Sequence, residues 1–105
     1  MGFLSKSDIS ELLEKIVGEI SKDLHPRKII LFGSFARGDA VQRSDIDLAI
    51  DLGGPFDDMD WLNFLHQFSE KNLTLRKIEI LRMDKVSKDI KESIEQEGVT
   101  LYESK

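Results

Sequence analysis

The sequence predicts an α+β fold in which a small mixed β-sheet is flanked by helices. Apolar residues recur at helical spacing in several stretches, which is typical of helices that bury one face. Short apolar runs lie between these stretches, so helices and strands are expected to alternate along the chain. With 105 residues, the chain has the length of one domain with one small core, and we expect that domain to span residues 1–105.

The first element is a helix that is predicted from Ser7 to Leu24. Its apolar residues follow a single helical stripe. Ser5 or Ser7 is the candidate cap at its start. His25-Pro26 ends it, because the residue before a proline avoids helical backbone angles.

Two strands are predicted next, at Lys28–Phe32 and Asp45–Asp51. The first is a short β-branched and aromatic run, and the second alternates apolar and polar residues with a period of two. Part of the segment from Phe35 to Arg43 fits a short helix. Gly53-Gly54-Pro55 ends the second strand.

The second half of the chain predicts helix, strand, helix and strand. Asp57 or Asp58 is the candidate cap of a helix that runs to about Lys71. A third strand follows, then a helix capped by Ser87 and ended by Gly98, and finally a short strand. The helix that ends near Lys71 has an apolar stripe of Trp61, Leu62, Leu65 and Phe68. The third strand is predicted at Leu75–Leu81 and the terminal strand at Val99–Tyr102.

The charge is uneven and excludes some classes of function. The net charge is −5, and the segment from Ser44 to Glu70 contains seven acidic residues and no Lys or Arg. This charge distribution disfavours direct binding to nucleic acid through a broad basic face. The absence of cysteine excludes disulfides, thiolate metal sites and a cysteine nucleophile. Without an apolar run of membrane-spanning length or a signal-peptide core, a cytoplasmic location is expected.

The pair Asp45 and Asp47 is the first candidate for chemistry. Aspartate is depleted in strands, yet these two residues lie two positions apart in a predicted strand and share one face. Their mutual repulsion would be relieved by a hard divalent cation such as Mg²⁺, which prefers carboxylate oxygens. The same pattern also fits a solvated polar face of a sheet.

The pair Gly33-Ser34 is the second candidate. It directly follows a predicted strand, where glycine lets the backbone approach a ligand and a serine hydroxyl can donate to phosphate. A plain tight turn fits equally. The segment is not a P-loop, since Asp39 stands where the lysine of that motif is required.

The Gly33-Ser34 pair and the Asp45–Asp47 pair together favour a functional site more than either alone, because a phosphate-binding turn and an acidic strand can meet at one site. Glu79 on the third strand faces away from Ile78 and Ile80 and could add a third carboxylate. Such a set could hold two metal ions roughly 4 Å apart. Three basic residues flank this strand and are candidates for contact with phosphate or an acceptor: Arg76, Lys77 and Arg82.

The segments Gly33–Gly38 and Ser44–Leu48 together resemble the signature of the polymerase-β nucleotidyltransferase superfamily, a Gly-Ser pair followed by Asp-x-Asp on the next strand. The small size is similar to that of its minimal, MNT-type branch. The resemblance covers nearly the whole chain and implies the polymerase-β-like nucleotidyltransferase fold.

The resemblance also implies a role for each matching residue. The substrate would be a nucleoside triphosphate, with ATP expected, and two Mg²⁺ ions would be bound. The nucleotide-binding residues would be Gly33, Ser34, Arg37 and Ser44. The catalytic and metal-binding residues would be Asp45, Asp47 and Glu79.

One departure from the superfamily pattern concerns Glu79. The third carboxylate is usually Asp, and the longer side chain displaces the carboxyl group by about one methylene, where a shift near 1 Å can cost about a hundredfold in rate. Two alternatives therefore stand beside the enzyme: a non-catalytic nucleotide-binding subunit, and a structural domain that has lost its ligands.

The resemblance implies a partner as well. MNT-type proteins typically pair with a helical HEPN protein as toxin and antitoxin. In such a pair AMP would be transferred to a tyrosine of the HEPN ribonuclease. A homo- or hetero-oligomer is compatible with this expectation.

Overall fold

The structure is a computed structural model that describes residues 6–41 and 43–104. Helices and strands alternate along these residues in the predicted order. Of the two candidate caps of the first helix, Ser5 lies outside the described residues, and Ser7 lies inside the helix, so Ser7 is not its cap. The elements are α1 (Lys6–Leu24), β1 (Lys28–Phe32), α2 (Ser34–Arg37), β2 (Ile46–Asp51), α3 (Asp58–Glu70), β3 (Ile78–Arg82), α4 (Lys88–Glu97) and β4 (Val99–Glu103).

The four strands form one mixed sheet in the order β3-β2-β1-β4. β1 is antiparallel to both of its neighbours, whereas β2 and β3 are parallel. The parallel pair needs a crossover connection, and α3 supplies it. This architecture confirms the predicted α+β fold with a small mixed sheet flanked by helices.

One face of the sheet is closed by α1 and α3. The apolar positions of β2 alternate as predicted, and their side chains are fully buried against these two helices. Pro26, two residues after the end of α1, is also fully buried. The buried residues of this core are Ile16, Ile20, Leu24, Ile29, Leu31, Ile46, Leu48, Ile50, Trp61, Phe64 and Phe68.

The other face of the sheet is covered only in part. Ile94 of α4 packs there with Ile30, Ala49 and Met83 in a second, smaller buried cluster. The end of this face at Glu79 is exposed. α4 therefore leaves one end of β2 and β3 accessible to solvent.

Two predicted details of α3 and β3 are wrong. Leu62, predicted in the apolar stripe, is 56% exposed. Phe64, which the sequence also places at a core or near-core position of the helix, is buried between Trp61 and Phe68, with tilted rings at centroid distances of 5.5 and 5.7 Å. Leu75 is fully exposed and outside β3. The strand begins later because the N–H of Arg76 donates to the Thr74 hydroxyl in a turn.

Arg82 does not face a phosphate or an acceptor, contrary to the sequence-based interpretation. Its side chain lies on the same face of β3 as those of Ile78 and Ile80, and the residue is 6% exposed. Its Nε and Nη2 donate to both carboxylate oxygens of Asp84 at 3.0 and 2.8 Å, and its Nη1 donates to Asp58 at 2.9 Å. Arg82 is therefore a structural ion-pair centre that ties β3 to the start of α3.

Replacing Asp84 with Asn should destabilise the fold at neutral pH but not in acid. The bidentate contact of Arg82 lowers the pKa of Asp84, so its stabilising contribution is present above the pKa of the unfolded chain. That contribution is lost as the pH falls through the lower pKa of the folded state. Asp84 is half exposed, so we expect about 1 kcal/mol, or roughly 4–8 °C in the thermal midpoint at pH 7.

The measurement is thermal unfolding of the wild type and Asp84→Asn between pH 7 and pH 2. The exposed Glu92 on α4 supplies the control, Glu92→Gln. A midpoint difference between wild type and Asp84→Asn that persists at the acid end would contradict the role of the ionised Asp84.

Candidate active site

Two carboxylates predicted from the sequence lie side by side on the partly open face of the sheet. The parallel register of β2 and β3 places Asp47 opposite Glu79, so both side chains emerge on the same face. The two carboxyl groups are close enough for Glu79 to raise the pKa of Asp47. The fold thus joins residues that are far apart in the sequence.

Negative charge at this point is poorly compensated. The pKa of Asp47 is raised, first because the carboxyl group is partly buried, and then because of the negative charges of Glu79 and Asp45. The positive charge of Arg37 acts in the opposite direction. A further positive charge bound here would stabilise the ionised carboxylates.

Asp45 lies one residue before β2, so the predicted strand begins one residue too early. The N–H of Ile46 donates to the Lys77 carbonyl at 2.9 Å, which joins the start of β2 to the segment before β3. Asp45 is half-buried and close enough for its charge to act on Asp47. The three carboxylates, Asp45, Asp47 and Glu79, are called the carboxylate cluster below.

Gly33 connects β1 to the short helix α2 directly against this cluster. Its φ of +76° is a conformation that side chains rarely adopt. A Cβ atom built at this position would overlap the Oδ2 atom of Asp47. The backbone angle therefore requires glycine here, and a Cβ atom would in addition displace the Asp47 carboxylate.

The other predicted nucleotide-binding residues lie around this turn. Ser34 is half-buried and begins α2, and Arg37 is exposed at its end, 3.3 Å from Asp39 and 3.7 Å from Glu97. The Ser44 hydroxyl oxygen accepts the N–H of Val41 at 2.9 Å. Ser44 thus closes a turn directly before the first aspartate.

Sequence reasoning missed what Arg76 does. Its Nη1 donates to the Ser44 carbonyl at 2.5 Å. The sequence around Arg76, just before β3, does not indicate this contact, because Ser44 is distant along the chain.

The donor chemistry of the carboxylate cluster fits a hard divalent cation. Carboxylate oxygens are the ligands that Mg²⁺ prefers, and the repulsion around Asp47 favours its binding. Among residues 6–41 and 43–104, no group of three or more His, Asp or Glu side chains has the spacing of a ready-made metal centre. Cation binding would thus require the cluster to adjust its side chains.

The face that carries the cluster is open. Glu79, Arg37 and Asp39 are all exposed. A reacting group on a large molecule could reach the carboxylates from this side.

No helix of the described residues is long and apolar enough to cross a membrane.

A comparison of the sequence with known families and proteins gives three matches of note. The family described as polymerase beta, nucleotidyltransferase matches residues 14–105. Two proteins of Methanocaldococcus jannaschii, both named "putative protein adenylyltransferase", are 32% identical. One aligns over 72 residues, 67% of this chain and 80% of the relative. The other aligns over 97 residues, 87% of this chain and 92% of the relative.

Solved structures resemble the fold. A chain of a tri-AMPylated HEPN toxin of Shewanella oneidensis in complex with MNT antitoxin has a TM-score of 0.68 at 16% identity, covering 90% of this chain and 72% of that one. A toxin–antitoxin with AMP-PNP gives 0.67 at 19%, covering 88% and 74%. A "putative minimal nucleotidyltransferase" gives 0.66 at 18%, covering 91% and 95%. At these identities the likeness concerns the fold.

Proposed function

This chain belongs to the polymerase beta nucleotidyltransferase family, and from that premise we propose that it transfers AMP from ATP to a hydroxyl group of a partner protein. The observation that carries the proposal is the contact between Gly33 and Asp47, which places a glycine turn against a carboxylate cluster. Phosphate-binding and cation-binding groups would then meet at one point.

Asp45, Asp47 and Glu79 would hold Mg²⁺, with two ions expected from the family. Bound Mg²⁺ would neutralise the triphosphate and stabilise the charge that develops on the transferred phosphoryl group. The raised pKa of Asp47 is the physical reason for cation binding here, because the cation favours the ionised carboxylates.

The remaining residues would bind and orient ATP. Backbone N–H groups at Gly33 and Ser34, with the Ser34 hydroxyl, would contact the triphosphate. Arg37 is exposed and close enough to act electrostatically on Asp47, so it would reach a phosphate beside the carboxylates. Ser44 would shape the same loop through its bond to Val41.

The acceptor oxygen would attack the α-phosphorus of ATP, and pyrophosphate would leave. The acceptor hydroxyl would lose its proton to a carboxylate, and exposed Glu79 is the candidate for it. The openness of this face supports a protein as acceptor, as do the adenylyltransferase names of the relatives.

We further propose that the acceptor is a tyrosine of a HEPN ribonuclease toxin and that this chain is its antitoxin. Structures of toxin–antitoxin complexes with a similar fold support this choice. The test is incubation with labelled ATP, Mg²⁺ and a HEPN protein from the same organism, with an established MNT–HEPN pair as control. Label on a HEPN tyrosine is expected, and its absence while the control pair reacts would contradict the proposal.

A non-catalytic nucleotide-binding subunit is the second candidate, favoured by Glu79 in place of the usual aspartate. If the protein is an active nucleotidyltransferase, Glu79→Gln should lower the rate of AMP transfer by about a hundredfold, since it removes a carboxylate from the reacting centre. Glu79→Asp keeps the charge and should retain more activity than Glu79→Gln.

Rates of AMP transfer and calorimetric titration with ATP distinguish the two candidates. ATP binding without transfer by the wild type, even with the partner present, would favour the non-catalytic subunit. A thermal midpoint that does not respond to Mg²⁺ and ATP together would instead favour a structural domain.

A further inference from the structure

Arg76 lies where three segments around the carboxylate cluster meet. Its Nη1 donates to the Ser44 carbonyl at 2.5 Å and approaches the Val41 carbonyl at 3.5 Å. Its guanidinium carbon lies 5.1 Å from the ring centroid of Phe35 in α2. One half-buried side chain therefore contacts the loop before β2 and the helix that follows Gly33.

The contact with the Ser44 carbonyl bears directly on Asp45, because this carbonyl belongs to the peptide bond that precedes Asp45. A charged donor makes a stronger hydrogen bond than a neutral one and restricts the orientation of that peptide plane. The loop carbonyl of Val41 also accepts the N–H of Ser44 at 3.0 Å. The guanidinium and the turn thus stabilise the same loop conformation.

The surroundings of Arg76 differ from those of a residue needed mainly for stability. Arg82 is almost fully buried and bound to two carboxylates, whereas Arg76 is half-buried and borders a cavity of about 210 Å³. Removing a side chain that borders a cavity should cost little packing. The loss would fall on the loop that the guanidinium contacts.

We propose that Arg76 is a positioning residue that holds the Ser44–Asp45 peptide so that Asp45 faces Asp47 and can share a cation with it. The proposal rests on the proposed nucleotidyltransferase function. It assigns to Arg76 a role through the protein backbone, and not the contact with phosphate or an acceptor that the sequence suggested.

The experiment compares Arg76→Gln with the wild type and with Lys91→Ala, which removes an exposed cation of α4 that lies away from the loop. Amide hydrogen exchange of the free protein is measured at Val41 and Ser44. Mn²⁺ affinity, measured by electron paramagnetic resonance, reports on the carboxylates without any reaction. The kcat and the KM for ATP are measured with the partner present.

Arg76→Gln should accelerate exchange at these two amides about tenfold or more and weaken Mn²⁺ binding about tenfold, since it removes a charge-assisted hydrogen bond from the loop. The kcat should fall by about a hundredfold with the KM for ATP within about twofold, since a small displacement of a reacting group suffices. Arg76→Lys can still donate to the Ser44 carbonyl and should recover part of the loss. Lys91→Ala should behave as the wild type.

Three results would overturn the proposal. Exchange and Mn²⁺ affinity equal to the wild type would show that Arg76 does not hold the loop. A raised KM for ATP with unchanged kcat would show a phosphate ligand instead. Faster exchange across the whole sheet would show a general loss of stability. If the wild type itself transfers no AMP, the proposed function fails, whereas exchange and Mn²⁺ affinity still decide the role of Arg76.

Discussion

Replacing Asp47 with Asn is expected to abolish AMP transfer while leaving the folded protein at least as stable. Asp47 is the centre of the carboxylate cluster, and an amide cannot supply the negative charge that holds a divalent cation. Since such cations contribute several kcal/mol to phosphoryl transfer, the rate should fall on the order of a thousandfold or more.

The stability expectation follows from the direction of the pKa shift of Asp47. Burial and the charges of Glu79 and Asp45 raise this pKa, so the ionised carboxylate destabilises the folded state once the pH exceeds the unfolded pKa. Asparagine has nearly the same shape and no charge, and it removes that repulsion. The free energy of unfolding at pH 7 should therefore be unchanged or higher.

Asp51→Asn is the matched control for Asp47→Asn. Asp51 belongs to the same strand as Asp47 and lies on the same face of the sheet. Its carboxylate, however, accepts the N–H of Gly53 and faces Arg27 at the other end of β2. Transfer and Mn²⁺ binding should persist in this control. Added Mg²⁺ should raise the thermal midpoint of the wild type and of Asp51→Asn, but not that of Asp47→Asn. Transfer by Asp47→Asn near the wild-type rate would remove the carboxylate cluster from the mechanism.

The second large effect is expected from a single methyl group at Gly33. Gly33→Ala places a Cβ atom where the Asp47 carboxylate lies, so the carboxylate or the turn must move. A displacement near 1 Å at a reacting centre can cost about a hundredfold in rate. The φ of +76° with a ψ of −154° is a backbone conformation that is essentially restricted to glycine, so alanine adds strain of about 1–3 kcal/mol.

Gly38→Ala separates the two causes. Gly38 ends α2 with a φ of +84° and a ψ of 12°, in the left-handed helical region, and a Cβ atom there meets nothing within 4 Å. Both variants should lose stability from strain, measured by chemical denaturation, and Gly33→Ala should lose more, because its ψ of −154° lies outside the left-handed helical region. Only Gly33→Ala should lose transfer and Mn²⁺ affinity. Equal losses of activity in both variants would mean that strain in the turn, and not the contact with Asp47, is responsible.

The acidic segment from Ser44 to Glu70 has several separate roles in the structure. The Asp57 side chain caps α3 by accepting the N–H groups of Met59 and Asp60. Asp58 pairs with Arg82 instead of serving as the cap. Only the first part of the segment contributes to the carboxylate cluster, so the net charge of the chain reflects capping and ion pairing as much as the candidate site.

Local patterns predicted much of the fold. β1 has the predicted bounds, and Asp57, Ser87 and Gly98 lie at the helix ends where their residue types suggested. The errors have separate causes. Leu62 is exposed because it lies off the stripe that Trp61, Phe64, Leu65 and Phe68 form at helical spacing. β3 begins at Ile78 because a side-chain bond holds the preceding turn.

By itself, the sequence determined the alternation of β2, the glycine turn and the nucleotidyltransferase family, and it supplied the three carboxylates as candidates. These depend on residue type and on spacing along a short stretch of chain. Only the tertiary structure decided that Asp47 lies beside Glu79, that Arg76 holds the Ser44 carbonyl and that Arg82 is a buried ion-pair centre. The physical reason is that sheet register and helix packing bring distant residues together, and no local pattern specifies those pairings.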